Sequence, residues 1–456
     1  MAHFIRLFFF GFLSLTLSAC ITNGTKLKVH SVNALASTAD DDGEFQGLEF
    51  LADPIPGKLK NRVNIFYLHG IGWTENPEND QLGSDFLSGV ARSYDLENAT
   101  DLIKSPCGKE DGESDHKSNH IYVTTGEKPT YYETIIPGVK LKLDQLVCMD
   151  KQILNVDENL EYVVYRIFWD EVFWRSLQSH HVGQDDNIGP SMAVAGMRRK
   201  FNRRLKDEIV NFGFSDAVMY LGPAGQEIRN AIRGAMCSAA LDAAGYPLEK
   251  QGHDIAYSQA CETATNTSVK INQFAFVTES LGSKITFDVM REAMTDQKDT
   301  IVDDMIAGSE IYMLANQIAL LSLSDLGQEP KAIPALDREK RRPRIVAFSE
   351  INDILTYEVG TFLEHLWTGR FVGAEETNTE FNAANRENVA AAIGFDFVDL
   401  RLEFADTVVP FFNGIVDPMQ AHMGHSAEPQ LMLYMLCGAR EGKLHDHSCL
   451  ATSDLK

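Results

Sequence analysis

Phe274-Ala275-Phe276-Val277-Thr278-Glu279-Ser280-Leu281-Gly282-Ser283-Lys284-Ile285 is where an unbroken apolar run gives way to helical spacing across a single serine. Phe274 to Val277 read as a strand buried on both faces, and from 283 to 294 apolar residues recur at intervals of three and four, as on a helix with one buried face. A serine in so sharp a strand-to-helix turn is strained, so its near neighbours must be small enough for the backbones to pass. Gly282, two residues on, meets that demand. The same alternation extends outward. Val63-Asn64-Ile65-Phe66-Tyr67-Leu68 stops at His69-Gly70, and Tyr162 to Phe168 and Arg344 to Phe348 are two more buried-strand runs. Asp216 to Ala235 has helical periodicity, and Ile311 to Leu323 reads as a buried strand or helix. Strands alternating with helices predict an α/β fold, a mainly parallel central sheet covered by helices on both faces. The stretch between the first strand and Ser280 exceeds what a minimal alternation needs, so cap-like insertions are expected around 98–158 and 175–265.

The turn at Ser280 resembles the nucleophile elbow of the α/β-hydrolase superfamily, whose members include serine esterases and lipases, although Thr278 stands where the first glycine of that motif is usual. The resemblance covers roughly residues 61 to 440 and implies an α/β-hydrolase fold with partners in the chain order serine, acid, histidine. Asp353, in the loop after the strand Arg344 to Phe348, is the first choice for the acid, and Glu350 in the same loop is the second. The histidine lies in Pro418-Met419-Gln420-Ala421-His422-Met423-Gly424-His425-Ser426-Ala427-Glu428-Pro429. His422 resembles a catalytic histidine followed by a ring three positions on, here His425, and by a proline seven positions on, here Pro429; His425 is the alternative. Leu68-His69-Gly70-Ile71-Gly72-Trp73 resembles the His-Gly-x-Gly loop that helps form an oxyanion hole, so the donors would be the amide of Ile71, or Gly70, together with that of Leu281. The implied activity is hydrolysis of a carboxylic ester by a Ser-His-Asp triad through an acyl-enzyme, with no metal or cofactor required. An amidase or peptidase on the same residues, and a non-catalytic envelope protein keeping the fold, are the alternatives.

The remaining features concern location and partners. The chain of 456 residues is 44% hydrophobic and 23% charged, a globular composition, and its formal charge of −24 would repel a phosphate backbone, so no nucleic acid partner is expected. Two basic clusters, Arg198 to Arg204 and Arg338 to Arg344, read as solvated faces balancing nearby acids, with a phosphate or anionic-lipid patch as the alternative. Residues 1–19 form a weakly basic, then apolar segment ending in Leu17-Ser18-Ala19-Cys20, which resembles the lipobox of bacterial lipoproteins and implies lipidation at Cys20. Each CH₂ of a buried acyl chain contributes about 0.8 kcal/mol to anchoring. Ile21 in place of an aspartate favours, by that resemblance, the outer membrane. Residues 20–60 are polar and acidic and read as a flexible tether. The six other cysteines suit disulfides in an oxidising compartment, and pairing of sequence neighbours, 107 with 148, 237 with 261 and 437 with 449, is expected among fifteen possibilities. His180-His181 and His445-Asp446-His447 lack a distant ligand group of metal-site spacing. Met305 and Met313 read as core filling. Nothing in the sequence bears on oligomeric state.

Overall fold

The structure is a computed structural model, and it describes residues 27–35, 43–55, 58–70, 84–96, 107, 120–126, 130–133, 140–143, 145–169, 215–266, 273–296, 300–325, 342–363, 389–406, 416, 418–445 and 449. Its frame is one large sheet built from β1 (Lys28–Leu35), β2 (Asn61–Leu68), β3 (His120–Thr124), β4 (Gln145–Asn155), β5 (Leu160–Phe168), β6 (Asp254–Ala256), β7 (Phe274–Glu279), β8 (Glu310–Leu314), β9 (Arg344–Glu350) and β10 (Asp396–Glu403). The hydrogen-bonded order is β1-β10-β9-β8-β7-β2-β5-β4-β3-β6, with Asp53–Pro54 pairing beside β2 as an eleventh strand. From β10 to β5 all neighbours are parallel. The two antiparallel breaks in that path are β4, between β5 and β3, and β1 on the far edge.

The helices named below cover both faces, and alternate residues of each strand serve each face. On β2, Phe66 and Leu68 join one core with Phe276 of β7 and with Ile232, Met236, Phe287 and Met290. Those four come from α2 (Ala224–Ala243) and α4 (Leu281–Asp296), which lie on that side with α3 (Tyr257–Asn266) and α5 (Thr300–Ile306). Val63, Ile65 and Tyr67 point the other way, into a second core with Phe86 and Val90 of α1 (Ser84–Ser93) and Leu431 and Met435 of α6 (Pro429–Cys437). The expected α/β architecture with a mostly parallel sheet is therefore present. Met305 and Met313 are buried within it.

Three boundaries differ from the sequence reading. Order begins well before Arg62: residues 28–35 form an edge strand against β10, and Leu48–Leu51 form a turn of 3-10 helix packed in the second core. An edge strand needs only one paired side and tolerates polar residues on its free side, so Lys28, His30, Ser31 and Asn33 gave it the composition of a tether. The described parts of 98–158 and 175–265 are also not caps: β3, β4 and β6 widen the sheet, and α2 is a principal core helix. The helix expected at 216–235 is two, Ser215–Leu221 and α2, divided at Gly222-Pro223, where proline cannot donate a helical N–H. Disulfides join Cys107 to Cys148, Cys237 to Cys261 and Cys437 to Cys449. The signal segment 1–19, Cys20, Ile71, His180-His181 and Asp446-His447 lie outside the described residues.

Strand order also fixes where a site can form. From β2 the chain goes on to strands on one side, then returns to place β7 on the other side and steps outward through β8, β9 and β10. Loops leaving the carboxyl ends of β2 and β7 therefore diverge and leave a crevice at that edge.

Candidate active site

Ser280 follows the last residue of β7 and precedes the first of α4, and its φ of 48° lies in the left-handed region, which costs a residue with a side chain on the order of 1–3 kcal/mol. Two backbone contacts hold it there. Its N–H donates to the Leu314 carbonyl at the end of β8 (2.8 Å), and its carbonyl accepts from the Ser283 N–H (3.0 Å). The turn passes very close to the loop after β2. A Cβ on Gly282 would stand 2.4 Å from the His69 carbonyl oxygen and 2.6 Å from that of Leu68, and one on Gly70 would stand 2.6 Å from the Ser280 Cβ. Both glycines are thus required by space. Thr278 fits because its position faces the helix start, where its hydroxyl lies 3.1 Å from that of Ser283. Gly282→Ala should destabilise the fold by about 3 kcal/mol, the upper part of the range for overpacking, because rigid backbone must yield. Urea denaturation would read this as a lower midpoint at unchanged slope, and an unchanged midpoint would refute the steric account.

The short helix Pro418–Met423, with the turn after it, supplies the partner. His422 Nε2 lies 2.8 Å from Ser280 Oγ, and its Nδ1 lies 2.8 Å from Asp353 Oδ2. An ionised carboxylate can only accept, so Nδ1 carries the proton and donates it to Asp353, which leaves Nε2 as the acceptor for the serine hydroxyl. Asp353 also accepts from the Thr356 hydroxyl and from the Leu355 N–H (2.9 Å). Burial works against its charge, but the hydrogen bond and charge of His422, with the Thr356 and Leu355 donors, hold its carboxyl below the usual value. The acid is therefore ionised at neutral pH.

The alternatives are placed elsewhere. Glu350 turns back on its own loop, accepting from the Asn352 N–H (2.5 Å) and side-chain amide (2.9 Å), so it shapes the turn that presents Asp353. His425 is buried, donates from Nδ1 to the His422 carbonyl (3.1 Å) and packs edge-on against Phe404 (5.0 Å between centroids). Burial first, then the neighbouring His422, push its imidazole down to about 4. His425 is thus a neutral strut under the helix that carries His422. Of the expected oxyanion donors, Leu281 opens α4. The first N–H groups of a helix have no carbonyl within it, and they carry its positive dipole end. Gly70 abuts Ser280 as described above, and Ile71 lies outside the described residues.

Several supporting residues were not singled out in the sequence. Ser426 donates to Glu279 (2.8 Å), which latches the turn after that helix to β7, and Trp169 Nε1 donates to the His69 carbonyl (3.1 Å), which holds the loop after β2. Asp399 accepts from the N–H groups of Val359 (2.9 Å) and Gly360 (2.8 Å) and so pins the segment that follows Asp353. The sequence did carry a signal for it, an acid set among Phe397, Val398 and Leu400 on a buried strand. Burial raises its carboxyl to about 7 against the pull of the two amides. Between the ordinary value near 4 and about 7 the folded state holds a proton that the unfolded chain has lost, so this contribution to stability declines as pH rises through that window. As pH rises from about 4 to about 7 the wild type should therefore lose melting temperature relative to Asp399→Asn, so that the change across this window differs between the two. The same change in both would remove the assignment.

Among the described residues no group of three or more His, Cys, Asp or Glu is arranged to hold a metal, and no helix is long and apolar enough to cross a membrane. Compared with known proteins, the chain matches no family model, and no curated protein or solved structure is significantly similar to it.

Proposed function

We propose that this chain is a serine hydrolase of the α/β-hydrolase type that cleaves a carboxylic ester through an acyl-enzyme. The observation that carries the reading is the relay Ser280 to His422 to Asp353, both links 2.8 Å, with the serine in a left-handed turn between a strand and a helix. Its hydroxyl attacks the ester carbonyl as its proton passes to His422 Nε2, since a free serine hydroxyl is a poor nucleophile. Asp353 keeps the ring in the needed tautomer and stabilises the imidazolium. The tetrahedral oxyanion accepts from the N–H of Leu281 and from that of Ile71 or Gly70, where each donor is worth about 3 kcal/mol of transition-state stabilisation. Collapse expels the alcohol, which takes the proton from His422, and a water activated by the same imidazole releases the acid. Every proton transfer runs through His422.

By the resemblance of residues 17–20 to a lipobox, the enzyme is anchored by lipid at Cys20 in a bacterial envelope, with the outer membrane favoured by Ile21. The test is covalent labelling by a fluorophosphonate probe of the wild type and of Ser280→Ala, with p-nitrophenyl esters and matched amides as substrates. Labelling lost in the variant, with faster turnover of esters than amides, is the expected result. A folded wild type that takes no label sinks the reading.

A further inference from the structure

Eleven large hydrophobic side chains are exposed among the described residues, and exposure of single apolar residues, or of a pair such as Val218 and Leu221 on one helix, is ordinary on a protein surface. Four form a larger group. Ile351 (43% exposed), Ile354 (68%) and Tyr357 (51%) lie on the loop that carries Asp353, and Met423 (61%) follows His422 directly. All four flank the relay at the carboxyl edge of the parallel strands, and the Ile351 N–H donates to the Leu402 carbonyl near the end of β10 (2.8 Å). The burial of these side chains would favour an apolar medium against that edge.

A second observation concerns the chain's route into the fold. Because β1 is antiparallel to β10, its first residue, Lys28, stands opposite Glu403, the last residue of β10. The N-terminal segment therefore enters the sheet at the same edge as Ser280. Four strand spacings, about 20 Å, separate β1 from β7. Eight residues connect Cys20 to Lys28 and can span at most about 28 Å. The segment leading to Cys20 thus meets the sheet at the edge that carries the relay, with the relay in reach, whereas Leu59 (98% exposed) marks the opposite edge.

We propose that the carboxyl edge of the sheet, with Ile351, Ile354, Tyr357 and Met423 at its surface, docks against a lipid bilayer, so that the relay faces acyl esters held in the membrane. This rests on the proposed anchor at Cys20 for its tether, and on the hydrolase reading only for what Ser280 then does to such an ester. The formal charge of −24 directs the choice of surface toward zwitterionic lipid. The full chain would be reconstituted in phosphatidylcholine vesicles containing brominated phosphatidylcholine, with one tryptophan introduced as Ile354→Trp or as Leu59→Trp. Bromine quenches only rings that reach the acyl region. Added quenching at least threefold greater for Ile354→Trp than for Leu59→Trp is expected. Equal quenching, stronger quenching at 59, or failure of the chain to associate with vesicles overturns the proposal. The readout needs no turnover, so a chain that takes no fluorophosphonate yet quenches as expected would refute the hydrolase reading and leave the docking intact.

Discussion

His422→Ala is expected to lower kcat for ester hydrolysis by about 10⁵-fold, and the double variant with Ser280→Ala to be no slower than the slower single one. The reason lies in the shared proton. In the proposed reaction Ser280 attacks only while His422 Nε2, 2.8 Å away, can take its hydrogen, so removing either partner would abolish the same step. A loss of 10⁵ corresponds to about 7 kcal/mol of transition-state stabilisation, far beyond any packing effect expected of a half-buried ring at the surface. His425→Ala offers the contrast. Its ring supports the His422 carbonyl and fills space against Phe404, so its loss should lower the melting temperature and reduce kcat by on the order of tenfold. Steady-state kinetics on a p-nitrophenyl ester, with circular dichroism to establish folding, would measure both. Comparable losses in kcat for His422→Ala and His425→Ala would contradict the assigned roles.

The second large effect is expected of Asp353→Asn, at roughly 10⁴-fold in kcat with the fold retained. The carboxamide can present its NH₂ to Nδ1, which then must accept, so the ring's proton moves to Nε2 and the serine faces a donor instead of a base. Because His422, Thr356 and Leu355 together outweigh burial and hold Asp353 below its usual value, the neutral amide should also lower the melting temperature at neutral pH in a chain that still folds. Glu350→Gln serves as the comparison, since its oxygens bind Asn352 within their own turn. A kcat within about tenfold of wild type is expected there. Should Asp353→Asn retain activity within tenfold of wild type, the carboxylate would have no part in setting the tautomer.

The pH behaviour of the two buried acids runs in opposite directions. Asp353, held low, contributes stability that is present above the ordinary carboxylate range and is lost as pH falls through its own lower value. Asp399, raised to about 7, has its contribution intact in acid and loses it as the pH approaches neutrality. The acid loop is thus pinned by one group and oriented by another with separate titrations.

What the sequence by itself determined is local. The run Phe274 to Val277, the serine and Gly282 dictate a strand, a strained turn and a helix because buried strands need continuous apolar residues, helices need apolar spacing of three and four, and the turn leaves no room for a Cβ at 282. Strand and helix alternation likewise carried the α/β class. Tertiary structure decided whatever depends on partners far along the chain. Residues 28–35 look like tether until β10 gives them an edge to pair with, and 120–124 and 145–155 look like insertion until β5 extends the sheet to them. The sequence put His422 ahead of His425 and Asp353 ahead of Glu350 by resemblance to a family pattern, and the contacts that separate the members of each pair belong to the folded chain. Each pair lies three residues apart, Glu350 at the end of β9 and His422 on the helix Pro418–Met423, and only the direction in which the folded chain aims each side chain brings one member to Ser280 and its relay while its neighbour braces the turn.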